Sequence, residues 1–236
     1  MKFSCIIVAA GSGSRMKSGL PKQYMDVCGY PMLYYSLRAW QDSSVDDIIL
    51  VVSEEYLDLV RSDIVEKYGF DKVSGIVCGG ASRFDSVYNG LRACDTPDYV
   101  FIHDGARPCI SPDVIARVRE AVISSGACVA AVPVKDTIKV SDPDGFVSDT
   151  PARDLLWAVQ TPQAFRYDLI LEAYVAAGGG VDLTGITDDA MVVERFGAAP
   201  VKLVMGDYEN FKVTTPEDLE AVKMILTRDR HDDNII

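Results

Sequence analysis

The stretch Phe3-Ser4-Cys5-Ile6-Ile7-Val8-Ala9-Ala10-Gly11-Ser12-Gly13-Ser14-Arg15 decides how the chain is read. Phe3 to Ala10 is almost continuously apolar. A strand with one face in water alternates apolar and polar residues; an unbroken run of this length suits a strand covered on both faces. The run ends in Gly-x-Gly, where missing side chains let backbone N–H groups approach an anion. Ala9 and Ala10 also imitate a leader-peptide cleavage site. With Lys2 as its only cation, the segment makes a poor n-region and a better buried strand entering a glycine turn.

Working outward, short apolar runs alternate with amphipathic segments. Leu33, Leu37 and Trp40 recur at helical spacing, as do Leu57, Val60 and Ile64. Strands are expected over 47–53, 73–78, 99–102 and 128–134. Ser82 is placed to cap a helix that buries Val87, Leu91 and Cys94. Ser111-Pro112 gives another start, cap then proline, and Gly126 its end. This β-α repetition predicts an α/β fold: a single doubly wound, mostly parallel sheet, with ligands beyond the carboxyl ends of its strands. Asp142-Pro143-Asp144-Gly145 is turn chemistry between β-prone flanks, so a β-hairpin arm is expected at about 135–153. An oligomer contact and a plain surface hairpin are both open for it. Beyond the arm the pattern predicts a helix over 163–177, a helix opened by Thr187-Asp188-Asp189, a strand over 201–205 and a last helix from Thr215-Pro216. One domain over 1–227 is expected, with a polar tail, 228–236, that frays.

The 236 residues are 48% hydrophobic, enough for a sizeable core. A net charge of −12 argues against nucleic-acid binding, which needs a basic face. Small anionic ligands need only a local cluster of cations. No apolar run reaches the ~18 residues of a membrane span. The six cysteines form no C-x-x-C pair and read as reduced thiols of a cytoplasmic protein.

Two familiar phosphate motifs fail at the glycine turn. The dinucleotide fingerprint needs a third glycine where Met16 stands, and the Walker motif needs Gly-Lys-Ser/Thr. The turn instead supplies Arg15, and Lys22 follows in Pro21-Lys22-Gln23. Two cations beside such a turn suit a triphosphate.

Ala9-Ala10-Gly11-x-Gly13-x-Arg15-Met16 followed by Pro21-Lys22-Gln23-Tyr24 resembles the 2-C-methyl-D-erythritol 4-phosphate cytidylyltransferase family. The resemblance continues through Gly79-Gly80-Ala81-Ser82-Arg83, His103-Asp104-Gly105-Ala106-Arg107-Pro108, Asp136-Thr137-Ile138-Lys139, Arg153-x-x-Leu156-Trp157, Gln160-Thr161-Pro162-Gln163, Thr187-Asp188-Asp189-Ala190 and Asn210-Phe211-Lys212. Gly105 stands where alanine is commoner in the family, which predicts a looser local backbone.

The resemblance implies transfer of CMP from CTP to methylerythritol phosphate, with loss of pyrophosphate. It implies that Arg15 and Lys22 stabilise the transition state and that Arg153 and Lys212 position the acceptor. Ala9, Ala10, Gly11, Gly13, Gly80, Arg83 and Ser86 would contact the nucleotide. Asp104, Arg107, Thr137 and Thr187 would join Arg153 and Lys212 on the acceptor. Mg²⁺ would be held mainly by the CTP phosphates, with no dedicated protein ligand. The arm would swap between the subunits of a homodimer, carrying Arg153 to the partner's site.

Blander readings stand beside these. Asp104 also suits a turn cap, Arg153 a surface charge, His103 a structural residue and Trp157 packing. Asp188 and Asp189 fit helix-dipole carboxylates better than metal ligands. Ribitol-5-phosphate cytidylyltransferase shares the glycine loop and Gln-Thr-Pro-Gln; the Arg153-x-x-Leu156-Trp157 and Thr-Asp-Asp-Ala segments favour the isoprenoid enzyme. A Rossmann oxidoreductase is opposed by Met16, and a non-catalytic nucleotide sensor by Arg15 with Lys22.

Overall fold

The computed structural model describes residues 1–11, 20–178, 183–197 and 199–232, the last four of these by backbone alone. In chain order come β1 (Phe3–Ala9), a 3-10 turn (Lys22–Tyr24), β2 (Asp26–Val27), β3 (Tyr30–Pro31), α1 (Met32–Gln41) and β4 (Asp47–Val52). A single turn, α2 (Leu57–Leu59), widens into π-type turns over Val60–Glu66 and leads to β5 (Val73–Cys78), α3 (Arg83–Ala93) and β6 (Tyr99–Asp104). Then follow α4 (Pro112–Ser125), β7 (Ala127–Pro133), the hairpin arm with β8 (Val140–Ser141) and β9 (Val147–Asp149), and β10 (Trp157–Arg166). The chain ends with α5 (Tyr167–Ala177), α6 (Asp189–Val192), β11 (Lys202–Met205) and α7 (Pro216–Asp232).

Seven strands form the central sheet in the order β11-β7-β10-β6-β1-β4-β5. β10 runs antiparallel to both neighbours and every other pairing is parallel. The unbroken apolar run of β1 is explained by its position. Cys5 and Ile7 face a core with Leu33, Leu37 and Trp40 of α1 and Val114 and Val118 of α4. Ile6 faces the opposite core, with Val87 and Leu91 of α3 and Ile170 and Tyr174 of α5. Helix starts and stops follow the local signals: Ser82 caps α3 in a reciprocal box with Asp85, and Gly126 ends α4 at φ 75°.

After β1 the chain builds outward to β4 and β5, then returns to lay β6 on the other side of β1. The order therefore reverses at β1, and a crevice opens beyond the carboxyl ends of β1 and β6. Ala9-Ala10-Gly11 and Asp104 stand at those ends, with Val8 opposite Asp104 in register.

Three expectations need correction. Residues 163–166 are strand, not helix: Gln163 pairs with Ile102, and α5 starts at Tyr167. Pro162 has no N–H and disfavours helix, and the pairing of β10 with β7 shifts register between Val159 and Gln163 around it. The last helix runs past the boundary expected at 227, to Asp232, with Arg228 bonding both carboxylate oxygens of Glu209 at 2.8 and 2.7 Å. Nor is the backbone loose at Gly105. Its N–H donates to Val8 O (2.9 Å), and a Cβ there would lie 3.0 Å from Leu33 Cδ1. All six cysteines are free. No described helix is long and apolar enough to cross a membrane.

The turn after β6 is held by a buried histidine. Thr161 Oγ1 accepts the Asp104 N–H (3.0 Å); the Arg107 carbonyl can only accept, so neutral His103 donates to it from Nε2–H (3.3 Å) and Nδ1 is left to accept from the Thr161 hydroxyl (3.1 Å). Burial is the main cause of the fall in the His103 pKa from 6.5 to about 4; Asp104 opposes it and Arg107 adds to it. An unfolded chain takes up this proton near 6.5 and the folded one only near 4, so the stabilisation is complete above 6.5 and drains away as pH falls. Urea midpoints should drop between pH 6.5 and 5, above most carboxylate titrations, by the equivalent of about 2 kcal/mol. His103→Gln should flatten that window; a wild-type midpoint constant across it would contradict the assignment.

Candidate active site

The floor of the crevice is the end of β1. Gln23, buried just after the 3-10 turn begins, donates its side-chain amide to Ala9 O (2.6 Å) and Gly11 O (2.9 Å). Ser53, at the end of β4, donates to Ala10 O (2.8 Å). Three successive carbonyls are thus engaged before the turn proper begins. Gly13 and Arg15 lie outside the described residues. Lys22 lines the crevice, and its ammonium donates to Val213 O.

A second wall comes from the segment between β5 and α3. Ser86 accepts the Gly80 N–H (3.0 Å) and donates to Ser82 O (2.9 Å), folding the chain tightly over the first turn of α3. A Cβ at Gly79 would strike the Ala10 side chain, and one at Gly80 would strike Asp85. Both glycines are therefore required by close approach. Together Val8, Ala10, Gly11, Gly80, Ser86 and Lys212 help to line a cleft of about 540 Å³.

A smaller cavity of about 220 Å³ adjoins it, lined among others by Arg107, Val159, Thr161, Thr187 and Asp188. Three side chains, Arg83, Asp104 and Lys212, border both spaces. Asp104, 7% exposed, has Lys212 Nζ at 2.8 Å from one carboxylate oxygen and Arg83 Nε at 3.6 Å from the other. Burial pushes its pKa up; Arg83, Lys212 and Arg107 outweigh that and hold the carboxyl well below the usual range. Burial alone would lower the pKa of Arg83, but Asp189 and Asp104 raise it further. Arg107 donates to Asn210 O at 2.6 Å, and its pKa is lowered chiefly by burial. The result is a partly buried, predominantly cationic wall between two cavities, suited to bringing two anions together.

The structure gathers Ala9, Ala10, Gly11, Lys22, Gly80, Arg83, Ser86, Asp104 and Lys212 around the larger cleft, and Arg107 and Thr187 around the smaller one. It does not bring Thr137 or Arg153 to either. Both are exposed on the arm, where Arg153 donates to Lys135 O (3.3 Å). Asp188 does cap α6, accepting from Met191 N at 2.9 Å. Asp189 does stand in the first turn of α6, but it is fully buried and its carboxylate binds both terminal nitrogens of Arg83 at 2.8 and 2.7 Å. Sequence reasoning also passed over the supports Gln23, Thr161, Gln163 and Asn210. The available signal was polarity inside a buried element: Gln160-Thr161-Pro162-Gln163 interrupts a strand that is otherwise apolar at Ala164-Phe165.

Residues 3–228 match the family described as 2-C-methyl-D-erythritol 4-phosphate cytidylyltransferase. The enzyme of that name from Lachnospira eligens is 50% identical over 224 residues, which cover 94% of this chain and 98% of the relative. The one from Alkaliphilus oremlandii is 49% identical over 227 residues, 95% of each chain. Among solved structures, 4-diphosphocytidyl-2C-methyl-D-erythritol synthase from Anaerococcus prevotii superposes with a TM-score of 0.84 at 35% identity, covering 96% of both chains. The Francisella tularensis cytidylyltransferase gives 0.79 at 33% identity, covering 95% of this chain and 99% of that one. With such matches along nearly its whole length, the chain belongs to the 2-C-methyl-D-erythritol 4-phosphate cytidylyltransferase family.

Proposed function

We propose that this chain transfers the cytidylyl group of CTP to 2-C-methyl-D-erythritol 4-phosphate and releases pyrophosphate. The observation that carries the reading is the pair of adjoining cavities that share Arg83, Asp104 and Lys212. CTP takes the larger cleft, with its base against Gly80 and Ser86 and its phosphates toward Gly11 and Lys22. The acceptor takes the smaller, with Asp104 and Thr187 on its hydroxyls and Arg107 and Lys212 on its phosphate.

The acceptor is a phosphate monoester whose second pKa is ~6, so at neutral pH its attacking oxygen is already ionised. No general base is needed, in keeping with a cleft bordered by cations and with a His103 that is buried away as a turn support. The barrier is electrostatic: two anions must meet, and charge grows on the α-phosphoryl group. Lys22 and Arg15 meet that charge. Mg²⁺ would enter on the CTP phosphates and neutralise part of their charge. The donor chemistry fits that reading, since Asp104, the carboxylate that borders both cavities, is already engaged by Lys212 and Arg83.

The arm supports a homodimer. Phe146, Val147 and Leu155 are 72%, 61% and 78% exposed, and Thr137 and Arg153 stand beside them, away from both cavities of their own chain. A second copy would cover the apolar residues and receive the two polar ones. Six free thiols suit a reducing cytoplasm.

Purified protein with CTP and Mg²⁺ should release pyrophosphate with methylerythritol phosphate much faster than with ribitol 5-phosphate. Equal or faster release with the pentitol would replace the acceptor and keep the reaction class. Lys22→Ala should lower turnover on the order of 10²–10³-fold and keep most CTP affinity; unchanged turnover would remove Lys22 from its role. Sedimentation should give a dimer that Phe146→Asp weakens, whereas a wild-type monomer at micromolar concentration would refute the arm contact.

A further inference from the structure

Asp189 borders neither cavity, is fully buried, and is nonetheless tied to the wall between them. Its Oδ1 accepts from Arg83 Nη1 (2.8 Å) and from the Tyr174 hydroxyl (2.6 Å), and its Oδ2 accepts from Arg83 Nη2 (2.7 Å). Tyr174 is itself fixed by stacking on Phe84, with ring centroids 4.5 Å apart. The Asp189 backbone N–H donates to Gln163 Oε1 (3.0 Å), which also takes the Ala190 N–H (2.9 Å), while Gln163 Nε2 donates to Asp188 Oδ2 (3.0 Å). The carboxylate is thus located from three elements: β10, α5 and α6.

A buried ion pair is a weak source of stability, because desolvation offsets most of the attraction and an apolar pair of similar volume often serves as well. What a bidentate carboxylate does supply is a fixed guanidinium. Arg83 has a second anion close by, since its Nε lies 3.6 Å from Asp104 Oδ1. The other oxygen of Asp104 already meets Lys212. Released from Asp189, Arg83 would close on Asp104 and occupy both of its oxygens. We propose that Asp189 is a positioning residue that holds the Arg83 guanidinium in the wall between the two cavities and off Asp104, leaving that carboxylate to the acceptor's hydroxyls.

The kinetic consequence rests on the function proposed above; the geometric one does not. Asp189→Asn should raise the acceptor KM about tenfold or more and the CTP KM by clearly less. Tyr174→Phe, which removes one hydrogen bond and keeps both charges, should shift the acceptor KM the same way by less. If Asp189 acts through Arg83, Asp189→Asn should add little in an Arg83→Met background, a double variant that leaves no buried charge unpaired. Equal shifts in both KM values, additive effects in the double variant, or a loss confined to thermal stability would each overturn the proposal. Independent of turnover, the clamp should slow rotation about the Arg83 guanidinium, giving separate Nη1 and Nη2 signals in ¹⁵N spectra that merge in Asp189→Asn. A single averaged wild-type signal would also overturn it. Failure of the wild-type protein to use methylerythritol phosphate would instead strike the functional reading, and the spectra would still decide the clamp.

Discussion

A carboxylate at the end of a central strand governs this site. Asp104 is buried where β6 meets the crevice, and it stays ionised because an ammonium and a guanidinium each approach one of its oxygens. Asp104 could not be left there alone, since an unpaired buried charge costs several kcal/mol. The carboxylate therefore depends on both cations, and the three groups form one cluster. Each is delivered by a different part of the chain: Asp104 by β6, Arg83 by the first turn of α3, and Lys212 by the segment between β11 and α7. The sheet order brings those parts together, because the reversal at β1 puts the ends of β1 and β6 side by side.

Around this cluster the backbone is tied at nearly every step. The turn after β6 hangs from Ser36 of α1, which donates to Gly105 O and Arg107 O, and from Val213 N, which donates to Ala106 O. Thr161 and His103 hold it from the opposite side. A site that must meet charge developing in a transition state gains from such rigidity, since dipoles and cations already in place need no reorganisation when the reaction occurs.

Much of this was legible in the sequence, and the exceptions have physical causes. β1 could be read because a strand covered on both faces must be apolar throughout. α4 could be read because its cap, its proline and its terminal glycine are local features. β10 was misread because Gln160-Thr161-Pro162-Gln163 lacks the periodicity of either a strand or a helix. Its polar residues are buried to support other segments, Thr161 beneath Asp104 and Gln160 against the segment around Asp207 and Asn210. The glycine loop and the motif aspartates announced a ligand site. The role of Asp189 was hidden, because its partner Arg83 lies 106 positions away and nothing in the Thr-Asp-Asp-Ala spacing points to it. Thr137 and Arg153 fall on the arm expected at about 135–153, and only their separation from both cavities of their own chain needed the fold.

The two cavities draw most of their walls from separate regions. Residues of the larger cleft come mostly from the end of β1 and the start of α3, and those of the smaller cavity largely from β10 and the segment before α6. Among the described residues, only Arg83, Asp104 and Lys212 belong to both. A protein built this way is modular in its capacity to diverge. Changes at Val159 or Thr187 can reshape the smaller cavity without disturbing the larger one. Any lineage that keeps the shared trio can explore new acceptors while inheriting its donor chemistry intact.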